Sequence, residues 1–171
     1  MKKSAVKLVA VLATAILALT GCADNNPNVA AKVGGQEIAL SQVDTIAKAL
    51  VASDPSVSWG VARRDVAQVL VVSQLAKLAQ KDIGAPVSDA QRQQVYAAYP
   101  NWEPLLKNPT TSVFMADFAD YILVMSDETG SAAFQKVCAN VPVELNPVFG
   151  SWDPTQGQFA GDSGSLSRVL S

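Results

Sequence analysis

Few residues in this chain could do covalent or acid–base chemistry. Cysteine occurs only at Cys22 and Cys138, carboxylates fall close together at Asp117 and Asp120 and again at Asp127 and Glu128, and histidine is absent. Without an imidazole the chain cannot build a His-based triad, a His-ligated metal centre or a histidine proton shuttle. Asp117 and Asp120, at i and i+3, would share a helix face and could serve as an acid–base pair. They lie opposite an apolar stripe, however, which is the pattern of a solvated face. Asp127 and Glu128 have no third ligand nearby in sequence and read as a solvated helix end, so no metal is implied. Gly34-Gly35 lacks the spaced glycines and the following Lys-Ser/Thr of a phosphate loop, and no Gly-x-Ser-x-Gly nucleophile turn occurs. Cys138 sits in a helical pattern, where an isolated thiol is ordinarily a small buried hydrophobe. No catalytic group and no cofactor emerge, and an enzyme is not expected.

Cys22 is different because of what precedes it. Met1 to Lys7 is basic, and Leu8 to Thr20 is an unbroken apolar and small-residue run, too short to span a membrane comfortably but suited to a signal h-region. It ends in Leu19-Thr20-Gly21-Cys22, which resembles the lipobox of bacterial lipoproteins. The resemblance implies cleavage between Gly21 and Cys22 and diacylglyceryl attachment at the Cys22 sulfur. Each buried methylene adds about 0.8 kcal/mol, so two acyl chains anchor stably where one binds only reversibly. The expected organisation is a signal at 1–21, a lipidated cysteine and polar tether at 22–29, a domain at 30–152 and a poorly ordered tail at 153–171. Removing 21 of 171 residues leaves 150, enough for one domain with a real core. Three of the thirteen cations (Lys2, Lys3, Lys7) leave with the signal and none of the fifteen carboxylates does, so the mature balance is ten against fifteen, or −5. A mildly acidic domain has no electrostatic reason to seek nucleic acid. With Cys22 acylated, Cys138 has no disulfide partner in the chain.

The elements follow from periodicity. Alternation on either side of Gly34-Gly35 predicts two short strands and a tight turn. Ser41, with Asp44 three residues on, predicts a capped helix to Val51 that buries Val43, Ile46, Ala47 and Leu50. Val61–Lys81 is apolar on more than one face, as a central helix should be. Ser88-Asp89-Ala90-Gln91 begins another helix toward Tyr99. Pro100, Pro104 and Pro109 then turn a corner around Trp102. In Thr110–Met125, Phe114, Phe118, Tyr121, Ile122 and Met125 make one apolar stripe. Thr129-Gly130 is expected to loosen the chain before a helix over Ala132–Ala139. Val141–Leu145 is a strand that Pro142 confines to an edge or a strand start. The fold class is therefore mainly α, with several helices and a small β-sheet.

Val33, Gly35 and Ile38, in Ala-Ala-Lys-Val-Gly-Gly-Gln-Glu-Ile, and the closing Leu145-Asn-Pro-Val-Phe-Gly-Ser-Trp-Asp153 resemble the N-terminal domain of SurA-type periplasmic chaperones. That resemblance implies a helical domain completed by a sheet pairing N-terminal and C-terminal strands. It also implies binding of unfolded or extended polypeptides on the extracytoplasmic face of a membrane. Relatives often carry a histidine-containing prolyl isomerase module of roughly a hundred further residues, for which this chain has neither the length nor the histidines. Tyr96, Tyr99 and Trp102 are the candidate peptide-contacting residues, since aromatics give large contact area; closing the edge of the core is their ordinary role. The alternative function is a lipoprotein that keeps this fold and serves one fixed envelope partner.

Overall fold

A computed structural model describes residues 26–160. Gly21, Cys22, the whole 1–21 segment and residues 161–171 lie outside the described residues. The chain is mainly helical with a small antiparallel sheet, as the periodicity requires. Strands β1 (Val29–Val33) and β2 (Gln36–Ala39) flank Gly34 and Gly35, whose φ values of 56° and 83° are both left-handed. A two-residue turn with positive φ at both positions matches the twist of its strands, and glycine alone reaches it without steric cost. β1 is the central strand, pairing on its other side with β3 (Val143–Leu145), Ala31 opposite Leu145 and Val33 opposite Val143. Pro142 stands just before β3, where no ladder donor is needed, and its carbonyl accepts from Gly34 N–H at 2.9 Å.

Helix α1 (Leu40–Ser53) follows β2 without a gap and buries Val43, Ile46 and Ala47, while Leu50 is half-buried. The expected Ser41 cap does not form. The cap position is Ala39, without a side-chain bond, because the hairpin register carries the chain straight into the helix. The Leu40 N–H is met instead by the Asn28 carbonyl at 2.8 Å, and Asp44 pairs with Arg63 at 2.6 Å. Helix α2 (Trp59–Ile83) begins two residues before expectation under a Ser58 cap. Its 25 residues are about 37 Å long, and it stops at Gly84 in the left-handed conformation (φ 64°). Val66, Val71, Leu75 and Ala76 on α2 are almost wholly inaccessible, which makes it the core helix.

Helix α3 (Asp89–Ala98) has the expected capping box: Gln91 N–H donates to the Ser88 hydroxyl and Ser88 N–H to the Gln91 side chain. A 3₁₀ turn (Pro100–Trp102) and the short α4 (Glu103–Lys107) make the proline corner. In α5 (Ser112–Ser126) the apolar surface is wider than one stripe, burying Met115, Ala119 and Val124 beside Phe114. The expected solvated face at Asp117 and Asp120 is occupied instead: α3 covers Asp120, which is only 6% exposed, and α2 reaches Asp117. Its two oxygens take Arg92 Nε at 2.6 Å and Nη2 at 2.9 Å, and Asp117 takes Lys77 Nζ at 2.8 Å.

Helix α6 (Glu128–Asn140) starts four residues earlier than expected because Asp127 caps it, its Oδ2 accepting from Gly130 N–H at 2.7 Å. Gly130 is thus a packing residue inside a helix rather than a loosening point: a Cβ there would meet the Val124 carbonyl oxygen at 2.5 Å. The first residues of the expected tail, as far as Ala160, form structure instead. β4 (Ser151–Asp153) pairs with β5 (Gln158–Ala160), so the stretch Leu145–Asp153 ends one strand and begins another. Asp153 closes the turn by accepting from Thr155 and Gln156 N–H, and Phe159 is buried against Phe149 and Trp152. Arg64 fastens this hairpin to α2 by donating to the Phe149 and Phe159 carbonyls at 3.0 and 3.3 Å.

Candidate functional site

An open cleft of about 430 Å³ lies between α1, α2, α4 and α5. Leu50 of α1 and Leu105 of α4 close two sides, while Val69 and Val72 of α2 face Phe118 and Tyr121 of α5. Trp102, in the 3₁₀ turn, completes the wall. The volume falls in the range of roughly 300–1,000 Å³ usual for ligand sites, and the walls are predominantly apolar with few polar groups, as such sites tend to be.

The aromatic wall is held by a chain of ring contacts. Tyr99 stacks on Trp102 with centroids 4.6 Å apart and planes 11° from parallel. Trp102 meets Phe118 at 5.4 Å, Phe118 meets Tyr121 at 6.3 Å, and Tyr121 meets the buried Phe134 of α6 at 5.5 Å. Offset and tilted pairs of this kind are each worth about 0.5–1.5 kcal/mol beyond their buried area, so the wall is braced from the solvent edge to the core. Of the three aromatics singled out in the sequence, only Trp102 lines the cleft. Tyr99 backs it from outside and is 42% exposed. Tyr96 points elsewhere, half-buried near the Arg92–Asp120 pair, and burial raises its phenol above the usual value.

Sequence reasoning missed the rest of the lining. Phe114, Phe118 and Tyr121 were legible as an apolar stripe, but a stripe does not say whether it is fully covered. The broad apolar surface of α2 held the available signal: more apolar positions than one helix neighbour could cover. One charged residue, Asp65 of α2, joins the lining, with Gln68 beside it. Asp65 is exposed at the rim, yet the neighbouring apolar walls desolvate its carboxyl and raise its pKa, with Arg64 acting in the opposite sense. Gln68 is already engaged, its Oε1 accepting from Phe159 N–H at 3.3 Å.

A second cleft of similar volume runs along the other side of α1 and α5, with Ile46, Leu70 and Phe114 at its base. Ser41, Gln42, Thr45, Thr110 and Asp117 make its edges more polar. Cys138 is buried, and loss of hydration pushes its thiol up to about 11, so it is a poor nucleophile at neutral pH. Among the described residues, no three of Cys, Asp and Glu converge in a metal-binding group, and no helix is long and apolar enough to cross a membrane. No protein-family model matches the chain, and comparison with curated proteins and with solved structures returns no match.

Proposed function

We propose that this protein is a lipid-anchored extracytoplasmic binding protein that holds extended apolar polypeptide segments, by insertion of their side chains into the α1–α2–α4–α5 cleft, without catalysis. The observation that carries the reading is the cleft itself: an open, braced aromatic and aliphatic wall on an otherwise acidic domain. A closed core or a flat polar surface in its place would have favoured the alternative of one fixed envelope partner. Holding without ATP demands modest affinity. A dissociation constant near micromolar corresponds to about 8 kcal/mol, within reach of a few anchored side chains once ordering costs are met. The anchor keeps the cleft near the membrane surface, because the expected tether is short and its last residues, Asn26–Asn28, already form a turn bonded to β1 and α1.

Two measurements test the two halves of the reading. Cys22→Ser should abolish lipid labelling and move the protein out of the membrane fraction; a labelled variant that fractionates like the parent refutes the anchor. The lipidated protein in phosphatidylcholine vesicles should slow aggregation of a denatured client, and Val69→Phe, which fills the cleft, should remove that effect. Unchanged aggregation, together with no peptide binding below millimolar, refutes the holding function.

A further inference from the structure

The cleft has one formal charge and a fixed spacing, and together they define what it would select. Asp65, Gln68, Val69 and Val72 occupy positions i, i+3, i+4 and i+7 of α2, so they form one stripe along the cleft. Three carboxylates packed between the helices are matched by cations: Asp44 by Arg63, Asp117 by Lys77, Asp120 by Arg92. Among the described residues, no salt bridge reaches Asp65. The neighbouring Arg64 donates to the Phe149 and Phe159 carbonyls and acts on Asp65 through its charge, with no direct ion pair between the two, offsetting part of the desolvation. Asp65 is therefore a carboxylate held beside apolar side chains, and a cation brought against it recovers part of what that desolvation costs.

We propose that the cleft selects extended segments in which a Lys or Arg lies two residues from a large apolar side chain, the cation pairing with Asp65 while the apolar group enters beside Val69. The inference rests on the peptide-holding reading above. The spacing follows from four helical rises. Asp65 and Val69 are four residues apart on a helix, about 6 Å along its axis. Residues i and i+2 of an extended chain point the same way and lie about 6.5–7 Å apart. A cation at i+1 would point to the opposite side and miss the carboxylate. An accessible charge pair of this type contributes a preference of roughly two- to fivefold at low salt, and less as salt screens it.

The test uses the lipidated protein in neutral phosphatidylcholine vesicles, titrated into labelled alanine-based peptides, with protein-free vesicles as the baseline. Each peptide carries one Phe, with Lys or Gln two residues away, or Lys one residue away. The expected result is roughly two- to fivefold tighter binding of the Phe-x-Lys peptide than of the other two. Asp65→Asn should bring the Phe-x-Lys peptide down to the Phe-x-Gln peptide, whereas Glu144→Gln on β3 should leave the preference intact. Equal binding of all three peptides, or a preference that survives Asp65→Asn, overturns this inference while the holding function stands. If no peptide binds, both readings fall.

Discussion

Removing the Asp120 carboxylate should cost the fold far more than removing the Asp89 carboxylate, although both pair with Arg92. Asp120 meets the guanidinium through two bonds of 2.6 and 2.9 Å, and its side chain is 9% exposed. Asp89 meets the same group at 2.6 Å, but its side chain is 94% exposed. Breaking a buried pair from one side typically costs about 3–5 kcal/mol, because the remaining charge is stranded. The Arg92 side chain is 26% exposed, so water reaches part of the guanidinium, which lowers the expectation for Asp120→Ala to about 2–3 kcal/mol. An exposed pair is worth about 0.2–1 kcal/mol, which bounds Asp89→Ala. In urea, with a slope of about 2 kcal/mol/M, the Asp120 variant should unfold at a midpoint about 1 M lower, and the Asp89 variant within about 0.5 M of the parent. The pair also ties α3 to α5, and α3 leads directly to Tyr99 and Trp102. Near-ultraviolet circular dichroism should therefore lose aromatic signal in the Asp120 variant before unfolding begins. Equal midpoint shifts for the two variants would refute the assignment of Asp120 as a buried clamp.

Two further outcomes follow from single buried positions. Gly130→Ala improves helix propensity by about 1 kcal/mol, yet the new Cβ would sit 2.5 Å from the Val124 carbonyl oxygen; thermal unfolding should show a lower midpoint, and a higher one would show that α6 shifts freely. Cys138 should react slowly with a disulfide reagent at pH 8 while folded and rapidly once unfolded. Its folded pKa lies above the ordinary value, from 9.0 to about 11, so the native state holds its proton more tightly. Stability from this thiol is then intact below pH 9 and declines as pH rises from 9 toward 11. Cys138→Ala should flatten that decline in urea titrations, and an unchanged slope would assign it to other groups.

Local signals were legible where the chain's neighbours in sequence decide the conformation. Gly34-Gly35 specifies its turn by φ alone, and Ser88 with Gln91 closes its own capping box. Signals failed where distant segments decide. Ser41 has cap chemistry, but the hairpin ahead of it fixes where α1 begins. Asp120 reads as solvated until α3 folds across it with Arg92. The Thr-Gln-Gly run after Asp153 reads as a loose tail, because what holds β5 is distant in sequence: Phe159 is seated by Arg64 and Gln68 of α2. The cleft was the least legible feature, since a wall's openness depends on the sum of helix crossings and not on any one stripe. Trp102 was found because aromatics at a proline corner mark an edge; Phe118 and Tyr121 were hidden among core residues.

The position of β1 in the middle of its sheet sets a timetable for the molecule. One edge of β1 is satisfied by β2 across a two-residue turn, but the other must wait for Val143–Leu145. At a synthesis rate of about 5–20 residues per second, the wait is roughly 5–20 s. Throughout that interval the first strand made stands half-paired, and bridging the long separation slows the final closure further. The domain therefore cannot commit to its native sheet until nearly all of it has been made. The second edge of β1 is the part of the fold that depends on the far end of the domain, and the β1–β2 hairpin alone cannot hold it.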